Sequence, residues 1–175
     1  MKRTKTGRVI LMRYVSVLAL ASIVTMTTIS GSGCVAKRID PITGAKTPAT
    51  AYEQVLALNA SFAVVNNGFA RGVIQLQDGG VIPLGPARNI LAVSFKLASL
   101  DIDLTNILKE GPDAAKLKAN AIDAILDQME GLVADGILLL NQQGDGAARA
   151  QADVIALTTL LRELVGALKL AGVLR

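Results

Sequence analysis

A chain of 175 residues that is 51% hydrophobic and 18% charged has room for one ordinary domain plus an export segment, and is too apolar for general disorder. Its formal charge of +4 points toward nucleic acid only until the charge is located: Lys2, Arg3, Lys5, Arg8 and Arg13 all precede residue 34, no acidic residue does, and the remainder holds 13 basic against 14 acidic residues. With 3% aromatic residues and no basic stripe, that remainder lacks what phosphate-backbone binding and base stacking require, and the complete absence of histidine excludes Ser-His-Asp and Cys-His catalysis, imidazole metal sites and Glu-x-x-His di-iron centres.

The chain opens with a basic stretch, residues 1–13, followed by an uncharged and largely apolar run of 16 residues, 14–29, and then by Ser30-Gly31-Ser32-Gly33-Cys34. A membrane span needs roughly 20 apolar residues, whereas the hydrophobic region of a signal peptide is shorter and ends in small residues. Residues 1–33 therefore read as a signal peptide. Met12 offers a second start, with Arg13 as the only basic side chain before the apolar run. Ser32, Gly33 and Cys34 resemble the lipobox of bacterial lipoproteins, in which a small residue precedes a cysteine whose sulfur receives diacylglycerol. Gly31 departs from the pattern, because that family usually carries leucine or another aliphatic residue there. Cleavage nearby by the general signal peptidase and an uncleaved anchor are the alternatives. The resemblance implies that Cys34 is the lipidated first residue of an exported protein anchored to a membrane of the cell envelope. Val35, standing where aspartate retains many such proteins at the inner membrane, points to the outer one in a cell with two membranes.

Residues 35–50 contain two prolines, a glycine and three threonines without an apolar period, so 34–50 reads as a lipid-attached flexible tether. As a coil it reaches roughly 20 to 24 Å.

From residue 51 to 175 the pattern is helical. Thr50 and Glu53 have the spacing of a capping box, and behind them Val55, Leu58, Phe62, Val65, Phe69, Val73 and Leu76 recur at intervals of three and four. Asn67-Gly68 is a competing hairpin signal, but its flanks do not alternate as strands should, so the spacing predicts one helix to about residue 77. After a loop containing Pro83, Gly85 and Pro86, a second helix aligns Ile90, Val93, Leu97, Leu100, Leu104 and Ile107 opposite Lys96, Ser99, Asp103, Asn106 and Glu110, and Gly111-Pro112 ends it. A third runs over about 113–140. A fourth, with Asp145 as its expected N-cap, aligns Ala150, Val154, Leu157, Leu161, Leu164 and Leu168. Four helices of similar length joined by short turns predict an all-α fold, an antiparallel up-down four-helix bundle over residues 51–175.

Polar constellations with site-like spacing are weak. Asp123, Asp127 and Glu130 lie opposite the apolar residues as a solvated face, Asp101 and Asp103 point to different sides of one helix, and Asp78 and Asp145 lack the spaced oxygens and closing glutamate of a calcium loop. Asn59-Ala60-Ser61 has the form of a glycosylation sequon but falls inside a helix. Gly79-Gly80 and Gly85 lack the lysine and hydroxyl of a phosphate loop. Arg162 and Glu163 are candidates for a buried or interfacial pair. No catalytic, metal or cofactor residue is nominated. The expected function is a non-enzymatic envelope lipoprotein with a structural or protein-interaction role, the alternative being a carrier of a small apolar ligand or lipid held between the helices. Charge is scarce in 131–140 and 154–174, so the third and fourth helices are the expected surface for a homo-oligomer or an envelope protein partner.

Overall fold

The computed structural model of the chain describes residues 37–39 and 46–175, within a compact unit over Ala36–Arg175. The expected signal peptide, Cys34 and most of the expected tether lie outside these residues. Two three-residue strands, β1 (Lys37–Ile39) and β2 (Lys46–Pro48), pair antiparallel with Lys37 opposite Pro48, a ribbon that no alternating pattern announces. Everything after it is helical: α1 (Ala51–Asp78), α2 (Leu84–Lys109), α3 (Pro112–Leu117), α4 (Ala119–Asn141), a 3-10 turn (Asp145–Ala147) and α5 (Ala148–Leu170).

The capping box starts α1 as the sequence predicts. The Thr50 hydroxyl accepts from the Glu53 N–H at 3.1 Å and the Glu53 carboxylate accepts from the Thr50 N–H at 2.8 Å, so two backbone donors that a helix start leaves unpaired are both satisfied. The helix then runs unbroken through Asn67-Gly68. In α2 the start comes earlier than expected, at Leu84, with Gly85 and Pro86 inside the first turn. Proline costs nothing there, because first-turn N–H groups have no partner inside the helix. Gly111, at φ 102°, makes the left-handed turn that a side chain would resist, and Pro112 follows at the first position of α3. The single third helix expected over 113–140 is two. Lys118 leaves helical geometry (φ −103°, ψ 17°) and its ammonium reaches back to both Glu110 oxygens at 2.6 Å. Asp145 is not the N-cap of the last helix. The 3-10 turn occupies that place, and the cap is Ala147 with no side-chain bond.

The buried positions follow a repeat tighter than the one the apolar residues alone suggest. In α1 the repeat takes in Val55, Asn59, Phe62, Asn66, Phe69 and Val73, with Gly72 buried beside it, and in α2 Ala87, Ile90, Ser94, Leu97, Asp101, Leu104 and Leu108, with Val93 buried beside it. Helices α4 (Ile122, Leu126, Met129, Val133, Gly136, Leu140) and α5 (Ala150, Val154, Leu157, Leu161, Leu164, Leu168, with Ala167 buried beside them) repeat the alternating three-four step. This is the 3.5-residue period of knobs-into-holes packing. Helix α1 packs along α2 and α5, and α4 along α2 and α5, giving a helical bundle around one core. Phe62, Phe69, Leu97, Leu104, Ile122, Met129, Leu157 and Leu161 are fully buried in it. Gly136 lies where α4 meets both α2 and α5: a Cβ there would stand 3.6 Å from Val93 and 3.9 Å from Val154.

The surplus apolar surface expected on the third and fourth helices is largely taken up by this core. Leu132, Ile137, Leu139, Leu160 and Val165 are half-buried against it, and Leu138, Ile155 and Leu170 remain exposed.

Candidate functional site

Helices α1 and α2 run antiparallel, and the bonds between them rise along one as they fall along the other. The Tyr52 hydroxyl donates to the Leu108 carbonyl at 2.6 Å, the Asn59 amide to Thr105 Oγ1 at 2.7 Å, and the Asn66 amide to the Ser94 carbonyl at 3.0 Å, while the Ser94 hydroxyl donates back to Asn66 Oδ1 at 2.9 Å. Tyr52, Asn59 and Asn66 are seven residues apart in α1, as are Leu108, Asp101 and Ser94 in α2, so Asn59 and Asp101 share the layer between two bonded ones. This seam is the polar side of an otherwise apolar bundle.

Its middle layer is incomplete. Asn59 Oδ1 and Asp101 Oδ1 are both buried without a hydrogen-bond partner, although Asp101 is only 7% exposed. Neither Asp101 oxygen meets a donor among the described residues. Taking a carboxylate out of water without a counter-charge disfavours its ionised form, and burial pushes the Asp101 carboxyl up to about 6. Burial also raises Tyr52, and raises Asp153 on α5 against the opposing pull of Arg149.

Asp101 lines a groove of about 450 Å³ on the outer side of the α1–α2 seam. Asn66 and Ser94 share its floor, Ala63, Ala70 and Ala98 keep it open, and Ile74, Leu91, Phe95 and Ile102 form its walls. The groove exists because a second apolar stripe, Leu91, Phe95, Ala98 and Ile102, runs beside the buried one in α2. Small side chains face it from α1. Phe95 is 69% and Ile102 59% exposed, so two large apolar side chains are presented on this one concave surface. Arg71 stands at the far end, 30 positions from Asp101 in sequence and, from the α1–α2 register, roughly 18 Å away along the helices at about 1.5 Å per residue. A larger hollow of about 750 Å³ between α3 and the end of α5, lined by Lys116, Lys169 and Arg175, holds no buried polar atom that lacks a partner.

The residues singled out by spacing are not brought together. Asp123, Asp127, Glu130 and Asp103 are exposed, Arg162 is exposed beside a half-buried Glu163, and among the described residues no three acidic or cysteine side chains could hold a metal ion. Among the same residues no helix is long and apolar enough to cross a membrane. Asn59, which has the form of a sequon, and Asp101, which spacing sets apart from Asp103, both belong to the seam. The signal for them was the seven-residue step that joins Tyr52, Asn59 and Asn66, and again Ala87, Ser94, Asp101 and Leu108. Comparison with protein family models, curated proteins and solved structures finds no match.

Proposed function

We propose that this chain is a non-enzymatic lipoprotein of the cell envelope, exported by a signal peptide over 1–33 and anchored through lipid on Cys34. Its described part acts as an antiparallel up-down four-helix bundle, with α3 as a short spacer, that binds a small amphipathic ligand. The pairing of α1 with α2 and α5, and of α4 with the same two, supports that topology. Its short connections agree with it.

The observation that carries the ligand reading is the groove between α1 and α2: concave, walled by Phe95, Ile102, Leu91 and Ile74, and floored by polar groups including a buried carboxyl. Its volume of about 450 Å³ falls in the range of small-molecule sites, which combine apolar walls with a few placed polar groups. The filled interior argues against a ligand held on the bundle axis and moves the site to the outer seam. A protein-interaction role is the second reading, favoured by the exposure of Phe95 and Ile102.

Titrating the full-length protein with 2-phenylethanol, a neutral probe of suitable size, tests the ligand reading. Saturable binding that weakens on Phe95→Ser is expected. Binding that Phe95→Ser leaves unchanged, or no binding, contradicts it.

A further inference from the structure

We infer that the α1–α2 groove selects a ligand with one ammonium head on a short apolar body, the head compensating the carboxylate of Asp101. The inference rests on the ligand reading above and adds the charge of the ligand to it.

Three observations carry it. Asp101 is more than nine-tenths buried and neither of its oxygens meets a donor among the described residues, so an ionised carboxylate there is uncompensated by them. A buried charge left this way is among the more costly features a fold can keep, and a cation delivered by a ligand relieves it through a charge-assisted hydrogen bond. Second, the surfaces beside it are apolar or small: Ala98 and Ile102 flank Asp101 on α2, and Phe95 lies further along the same wall. Phe95, about 9 Å further along the helix at about 1.5 Å per residue, is placed to meet the apolar body of such a ligand. Third, the one basic side chain lining the groove, Arg71, lies at its other end, too far along the seam to pair with Asp101.

The alternatives fit less well. A divalent metal ion prefers six or more oxygen ligands, and this groove gathers one carboxylate among apolar walls. A guanidinium is recognised through both carboxylate oxygens in a planar fork, whereas Asp101 Oδ1 is shut off from solvent. A compact ammonium needs only the accessible oxygen.

Three probes of one shape and different charge separate the possibilities when titrated into the full-length protein at pH 8: 2-phenylethylammonium, 2-phenylethanol and 3-phenylpropanoate. The ammonium is expected to bind about tenfold more tightly than the alcohol, a difference of about 1.4 kcal/mol, and the carboxylate more weakly than either. Asp101→Asn keeps the shape and removes the charge. It should bring ammonium and alcohol to within about twofold of each other while circular dichroism and melting show an intact fold. Phe95→Ser should weaken both. An ammonium that binds no better than the alcohol, or a preference that survives Asp101→Asn, overturns the inference while leaving the ligand reading standing. If no probe binds, the ligand reading and the inference fall together.

Discussion

Asn66 of α1 and Ser94 of α2 satisfy each other reciprocally: the amide donates to the Ser94 carbonyl at 3.0 Å, and the Ser94 hydroxyl donates to Asn66 Oδ1 at 2.9 Å. Both are buried at heptad-related positions where the neighbouring layers of α1 hold phenylalanine. A buried polar pair at such a position adds little net stability but fixes register, because sliding one helix past the other strands both groups. Ser94→Ala leaves Asn66 Oδ1 without its donor and should cost about 1 to 3 kcal/mol. The double change Asn66→Leu with Ser94→Ala should cost less than the sum of the singles. Urea melts of the four proteins measure that coupling, and strict additivity would mean the pair does not act as a unit.

The seam also predicts an unusual pH dependence. Asp101 titrates at about 6 in the fold against about 3.9 for an unperturbed aspartate. The folded state therefore holds its proton more tightly than the unfolded one, and this stabilising contribution is fully present below about pH 3.9. It is lost as pH rises through about 6, where unfolding would let the group ionise in water. From the size of the shift the loss is at most about 3 kcal/mol, less where solvent reaches the carboxyl. Thermal melts of wild type should decline between pH 4 and 7 relative to those of Asp101→Asn, and the variant should be the more stable of the two at pH 8. Parallel profiles for both proteins would contradict the assignment.

Close approach of α4 to its neighbours at Gly136 gives a prediction with two signs. A Cβ would meet Val93 and Val154 at ordinary contact distances of 3.6 and 3.9 Å. Gly136→Ala should thus be tolerated and gain up to about 1 kcal/mol from helix propensity. Gly136→Leu overfills the same space and should lose about 1 to 3 kcal/mol. Denaturant midpoints of the two variants are the check, and equal effects would mean that the helices separate there at little cost.

Processing at Cys34 is testable apart from the fold. Intact mass of protein from the membrane fraction should show loss of residues 1–33 and a diacylglycerol-type addition, both absent in Cys34→Ala. A variant with the same mass and the same detergent partitioning as wild type would remove the lipid anchor from the proposal.

Much of the fold was legible because apolar period is a strong signal when helices are long. Phe62, Phe69, Leu97, Leu104, Leu157 and Leu161 are buried where the spacing places them. Element ends were less legible. Pro86 looks like a loop residue but is harmless in a first turn, and the break at Lys118 leaves no sequence mark because alanines and lysines continue a helix as readily as they end one. The candidate site was missed for a different reason. Reading apolar residues alone assigns Leu58 and Val65 to the core and leaves out Asn59 and Asn66, yet the asparagines are buried and the two aliphatic side chains only partly so. What decides the matter is the partner across the seam, Thr105 for one and Ser94 for the other, and a single strand of sequence does not display that pairing.

The proposed ligand would meet this protein in the groove between α1 and α2 and not on the surfaces of α4 and α5. Backbone amide chemical shifts of the full-length protein, followed by NMR while 2-phenylethylammonium is added, test it most directly. Shifts concentrated at Ala63, Asn66, Ala70, Phe95, Ala98 and Asp101, saturating together, are the predicted result. Shifts that gather on Leu138, Ile155 and their neighbours, or that drift without saturation over the whole chain, would contradict it.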